Sequence, residues 1–92
     1  MALFVGSGSY QFATTVTLNP SNVAANSVAT ETFTITGIRT DTMYHVDALS
    51  LEAGLFILGC IPTATNTLQI NFFNPTGSDI NPASQSFRIV GF

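Results

Sequence analysis

Few side chains in this sequence are able to carry chemistry. They are one histidine, His45, one cysteine, Cys60, the cations Arg39 and Arg88, and the carboxylates Glu31, Asp41, Asp47, Glu52 and Asp79. Proton transfer and nucleophilic attack need such groups within hydrogen-bond reach of one another. His45 and Asp47 stand two positions apart in an alternating segment, and strand geometry places them on one face. One histidine and one carboxylate leave a zinc or calcium site short of ligands, so the pair reads as a surface contact or an interfacial hydrogen bond. Cys60 lies inside the apolar run GLFILGCI, where no neighbouring cation stabilises a thiolate, and it reads as a small hydrophobe. Gly6-Ser7-Gly8-Ser9 neither follows a strand nor opens a helix, so it fails as a phosphate-binding loop. Asp79 could ligate a cation, but a turn carboxylate more often bonds backbone. The expectation is a protein that is not an enzyme, with no catalytic residue, no metal and no cofactor.

Composition narrows the partners. Charged residues are 8% of the chain against about 25% in ordinary domains, and Thr, Ser and Asn take their place. With no lysine and two arginines, no basic patch is available for phosphates, so neither nucleic acid nor an anionic membrane surface is an expected partner. The longest apolar run, Gly54 to Ile61, is about half a membrane-spanning helix. The start MALFVGSGSYQF lacks the basic region of a secretory signal, so the chain is expected to be soluble and unexported. A single cysteine makes no internal disulfide. Stability must then come from packing and assembly.

The 92 residues divide into a flexible N-terminal arm, 1–9, and one β-sandwich domain, 10–92. The arm carries Leu3, Phe4 and Val5 ahead of its Gly-Ser hinge and reads as a docking arm or a frayed terminus. Alternation predicts strands over Tyr10–Leu18, with Tyr10, Phe12, Thr14, Val16 and Leu18 on one face, and over Val28–Thr36, with Phe33 and Ile35 inward and threonines outward. Met43–Leu49 alternates with Tyr44, Val46 and Ala48 opposite His45 and Asp47. Leu55–Ile61 is apolar on both sides and reads as a central or partner-covered strand ended by Pro62. Thr67–Asn74 points Leu68, Ile70 and Phe72 inward and leaves Phe73 as an exposed aromatic. Ser86–Phe92 sets Phe87 and Ile89 against Arg88 and Val90. The fold class expected is all-β, a small antiparallel sandwich or flattened barrel of about six to seven strands. One helical turn could fit within Leu49–Phe56.

The segments TVTLNPSNVAANSVATETFTITGI and GLFILGCIPTATNTLQINFFNPTGSDINPAS resemble a small virion domain of tailed bacteriophages, of the marine and cyanobacterial type. The resemblance rests on the NPSNVAANS connection, the Gly54-Leu55 pair, the NTL start at Asn66 and the NPTGSDINPAS loop. It departs from the family pattern at Thr40-Asp41, where Gly-Asp is usual, and at Ala48-Leu49-Ser50, where a proline pair is usual. Such domains decorate capsids or form head protrusions, and related ones occur in tails and fibres.

The resemblance implies a capsid decoration protein on the virion exterior, partnered by the major capsid protein. A homo-oligomer is expected, with a trimer favoured, and the apolar excess points the same way. Leu3, Phe4, Tyr10, Phe73 and Phe92 are the candidate interface residues. The alternative is a host-recognition module, a fibre tip or head knob binding a cell-surface glycan or protein through Tyr44 and Phe92.

Overall fold

The alternating segments are realised as six strands in a computed structural model that describes residues 12–92. They are β1 (Phe12–Leu18), β2 (Ser27–Thr34), β3 (Tyr44–Ala48), β4 (Phe56–Ala64), β5 (Thr67–Asn74) and β6 (Gln85–Gly91). They form two antiparallel three-stranded sheets, in the orders β1-β6-β3 and β2-β5-β4, packed as a small β-sandwich. β1 pairs with β6 and β2 with β5, while β3 and β4 complete the two sheets. This nesting is that of a jelly roll with six strands.

The core lies between the sheets. Inward residues of the central strands, Leu68, Ile70 and Phe72 from β5 and Phe87 and Ile89 from β6, are fully or almost fully buried, with Val46, Ile35, Ile38, Leu55 and Val23 around them. Phe72 meets Phe87 edge to face across the layers, ring centroids 6.4 Å apart. The expected facing holds in β1, β2, β3, β5 and β6.

β4 departs from expectation. It is an edge strand, neither central nor stopped at Pro62, and it runs on to Ala64. An edge strand tolerates proline because alternate N–H groups point away from the sheet. Its register with β5 shifts between Ile57 and Gly59, leaving Leu58 as an extra residue. A bulge of this kind reverses the parity of everything after it. Cys60 and Pro62 therefore pair with inward Ile70 and Leu68, and Ile61 turns outward opposite Gln69. Residues 49–56 hold bends and a turn, with no helical turn.

At one end of the sandwich, Asn66 joins the β4–β5 hairpin to the β2–β3 connection. Its backbone takes a left-handed φ of 60°, which asparagine tolerates better than most residues. Its carbonyl accepts from Ile35 N at 2.8 Å, its N–H donates to Ile38 O at 2.9 Å and its Oδ1 accepts from Gly37 N at 2.9 Å.

Nearby, Gly91 of β6 sits in register between Phe12 and Tyr44. The two rings close over it edge to face at 5.8 Å, and the Tyr44 hydroxyl accepts from Arg39 N at 2.8 Å. A Cβ at Gly91 would lie 2.6 Å from Tyr44 Cε1 and 3.1 Å from Phe12 Cβ. Gly91→Ala is expected to cost about 1–3 kcal/mol through overpacking, read from urea unfolding. A midpoint equal to wild type would show that the aromatic pair yields without strain.

Candidate functional site

The titratable groups are dispersed, and most of them hold loops. Glu31 Oε1 accepts from Ser21 N at 2.8 Å. Asp79 accepts from Ala25 N at 3.0 Å and Asn22 Nδ2 at 3.3 Å, so it bonds a distant connection and not its own turn. Glu52 accepts from Ala83 N at 2.8 Å and Gln85 Nε2 at 3.0 Å. The Ala83 N–H, aided by Gln85, holds the Glu52 carboxyl below its ordinary range. Arg39 donates twice to Asp41, at 2.6 and 3.0 Å, and holds that carboxyl low as well. Cys60 faces the interior half-buried and donates to Tyr44 O at 3.2 Å. Burial pushes its thiol up, away from the reactive thiolate.

His45 Nε2 and Asp47 Oδ2 are 3.0 Å apart on the exposed outer face of β1-β6-β3. Arg88 stands opposite Asp47 in register, yet its Nη1 donates to Thr15 Oγ1 at 3.4 Å. Among the described residues, no group of three or more His, Cys, Asp or Glu side chains could hold a metal ion. His45, Asp47 and Arg88 lie exposed side by side on this face.

The NPTGSDINPAS loop is tied down by Asn74, which is fully buried. Its Nδ2 donates to Val23 O at 3.1 Å and Ser78 O at 2.8 Å. Its Oδ1 accepts from Thr76 N at 2.9 Å and Thr76 Oγ1 at 2.6 Å. A buried amide with all four hydrogen bonds made specifies one conformation. Val23 and Ile80, bonded both ways at 2.8 and 3.0 Å, then fasten the loop to the β1–β2 connection.

Among the described residues, the opposite outer face, that of β2-β5-β4, has no charged side chain. Register aligns Val28, Phe73 and Phe56 in a row across its three strands. Leu58 and Ile61 extend this row along β4. Val28, Phe56, Leu58 and Ile61 are 55%, 55%, 58% and 54% exposed. The rest of the face is threonine, Asn71 and Gln69, with Thr30 Oγ1 donating to Asn71 Oδ1 at 2.9 Å. Apolar area gathered in one uncharged face marks an interaction surface, whereas scattered apolar residues do not.

Of the expected interface residues, Phe73 is half-buried between its neighbours and is not the exposed aromatic that alternation implied. Phe92 is 69% exposed at the end of the other sheet. Tyr44 is half-buried, with its hydroxyl engaged. Leu3, Phe4 and Tyr10, and the arm 1–9, lie outside the described residues. Sequence reasoning passed over Leu58 and Ile61 as surface residues. Gly59, inside an apolar strand, was the available signal, because a strand glycine often marks a bulge. No family model matches the chain, and no curated protein or solved structure is significantly similar to it.

Two outcomes are expected. Asn74→Ala, which strands the Val23 and Ser78 carbonyls, should cost about 2–4 kcal/mol in urea unfolding, and an equal midpoint would show that water replaces the amide. Because the folded pKa of Glu52 is lowered, its stabilisation is full above the ordinary glutamate range and is lost as pH falls through the lower folded value. The Tm should therefore drop as pH falls below the ordinary glutamate range, and Glu52→Gln should flatten that drop while lowering the Tm at neutral pH. An unaltered slope would assign the acid sensitivity to other carboxylates.

Proposed function

We propose that this protein is a non-enzymatic structural module of a tailed-phage virion, a decoration protein that binds the outside of the assembled capsid and stabilises it. The observation that carries the reading is the uncharged β2-β5-β4 face with its apolar row of Val28, Phe73 and Phe56, extended by Leu58 and Ile61. The virion setting comes from the resemblance of the NPSNVAANS and NPTGSDINPAS connections. Such a face buries against a protein surface without the desolvation penalty of charge. Each apolar side chain moved from water contributes about 1.5–3 kcal/mol when fully covered. A protein that binds only the assembled shell stabilises that shell by mass action.

A host-recognition role is the second reading. Phe92 favours it, since this exposed ring stands beside a shallow hollow lined by Phe12, Ala13, Val90 and Gly91, a platform on which a sugar ring could stack.

The experiment adds purified protein to emptied, expanded shells of the phage that encodes it and measures co-sedimentation. Wild type is expected to bind, and Phe56→Ser/Leu58→Ser to lose at least about tenfold in affinity while monomer stability stays within about 0.5 kcal/mol per site. Attachment unchanged by that double variant would sink the assignment of the face. Binding to host cells that Phe92→Ala removes would favour the second reading.

A further inference from the structure

Gly59 is a glycine that the fold itself does not call for. It stands in the middle of edge strand β4, directly after the extra residue Leu58 and opposite Asn71 of β5. A bulge requires glycine where its φ is positive, but among the described residues the glycines with positive φ are Gly37 and Gly54. Nor does internal packing demand it, since a Cβ at Gly59 would meet no atom within 4 Å beyond its two chain neighbours. Glycine inside a strand costs backbone entropy and offers no side chain to pack. What remains is the other reason for a strand glycine, close approach by something outside the chain.

The surroundings define what approaches. On the outer face of β2-β5-β4, the open space over Gly59 lies between Leu58 and Ile61, both exposed. Asn71 and Thr30 continue the same register row across the sheet. Thr30 Oγ1 donates to Asn71 Oδ1 at 2.9 Å, and among the described residues no group accepts from the two N–H donors of Asn71 Nδ2. The gap thus has two aliphatic walls, a floor of bare backbone and a hydrogen-bond donor at its inner end.

We propose that this gap receives an uncharged, extended segment of the partner protein, with one apolar side chain between Leu58 and Ile61 and a neighbouring backbone carbonyl accepting from Asn71 Nδ2. The inference rests on the reading of the β2-β5-β4 face as the docking surface, and it names what that face holds. Aliphatic walls favour an apolar side chain over a sugar, whose hydroxyls they would leave unpaired. A charged segment would leave water without meeting a counter-ion, because this face carries no charged side chain among the described residues. A second copy is the poorer occupant on grounds of area. Three strands of eight or nine residues span roughly 27 by 14 Å, a footprint about half of the roughly 800 Å² that a stable complex buries on each partner.

The test uses the full chain and the emptied, expanded shells. Gly59→Leu fills the gap and should weaken co-sedimentation at least about tenfold, with a urea midpoint no lower than wild type. Gly59→Ala, the smaller filler, should fall between the two, and Asn71→Ala should weaken binding about two- to tenfold. Gly59→Leu binding equal to wild type would overturn the proposal; if Phe56→Ser/Leu58→Ser still loses affinity, the docking face stands without the gap, and if that variant also binds normally, the face itself is misassigned. Wild-type protein that leaves the shells unbound removes the reading and the proposal together. A lowered urea midpoint in Gly59→Leu and Gly59→Ala would assign the glycine to the bulge and overturn the inference. So would binding to protein-free host polysaccharide that Gly59→Leu abolishes, which puts a sugar in the gap, or a wild-type dimer that Gly59→Leu dissociates, which puts a second copy there.

Discussion

The contact of Phe72 with Phe87 is the constraint on which the rest of the fold depends. Each ring comes from the middle strand of its sheet, both side chains are fully or almost fully buried, and they meet edge to face between the layers. Every other strand is hydrogen-bonded to β5 or β6. Setting these two strands face to face therefore sets the separation of the sheets and the positions of all four edges. β5 and β6 are joined by residues 75–84, and Asn74 at the end of β5 determines how that loop turns. The buried amide thus acts on the sandwich as a whole, by directing one central strand over the other.

The two outer faces are chemically unlike, and this asymmetry gives the molecule an orientation. His45, Asp47 and Arg88 all lie on β1-β6-β3, while among the described residues the outer face of β2-β5-β4 carries no charged side chain. A charged face resists being taken out of water because ions are costly to desolvate, and an uncharged one of threonine, asparagine and phenylalanine resists less. The second face is therefore the cheaper of the two to cover. Threonine suits the role, since β-branching favours the strand and its hydroxyl keeps the face hydrated until it is covered.

Most of the architecture was legible in the sequence, because alternation reports directly on which residues point inward. Phe33 and Ile35, Val46, Leu68 to Phe72, and Phe87 and Ile89 all face as their spacing implies. β4 was not legible, for a specific reason. An apolar residue on each side removes the alternating signal, and the extra residue at Leu58 reverses the parity that extrapolation from Leu55 assumes. Such extrapolation puts Ile61 on the face that Cys60 in fact occupies. The excess of apolar surface was legible from composition, but its location was not. Gathering Val28, Phe73 and Phe56 into one row requires knowing that β5 separates β2 from β4, and strand order is a long-range property.

Edge protection follows the same logic. Whether FATTVTL is an edge or a central strand cannot be read from its residues, since both kinds can be uncharged and alternating. The edges β2, β3 and β4 carry a tethered connection, charge, or proline and register breaks, which stand guard. In a chain with so few charges, net repulsion does little to keep copies apart, so the burden of preventing wrong contacts falls on such local devices.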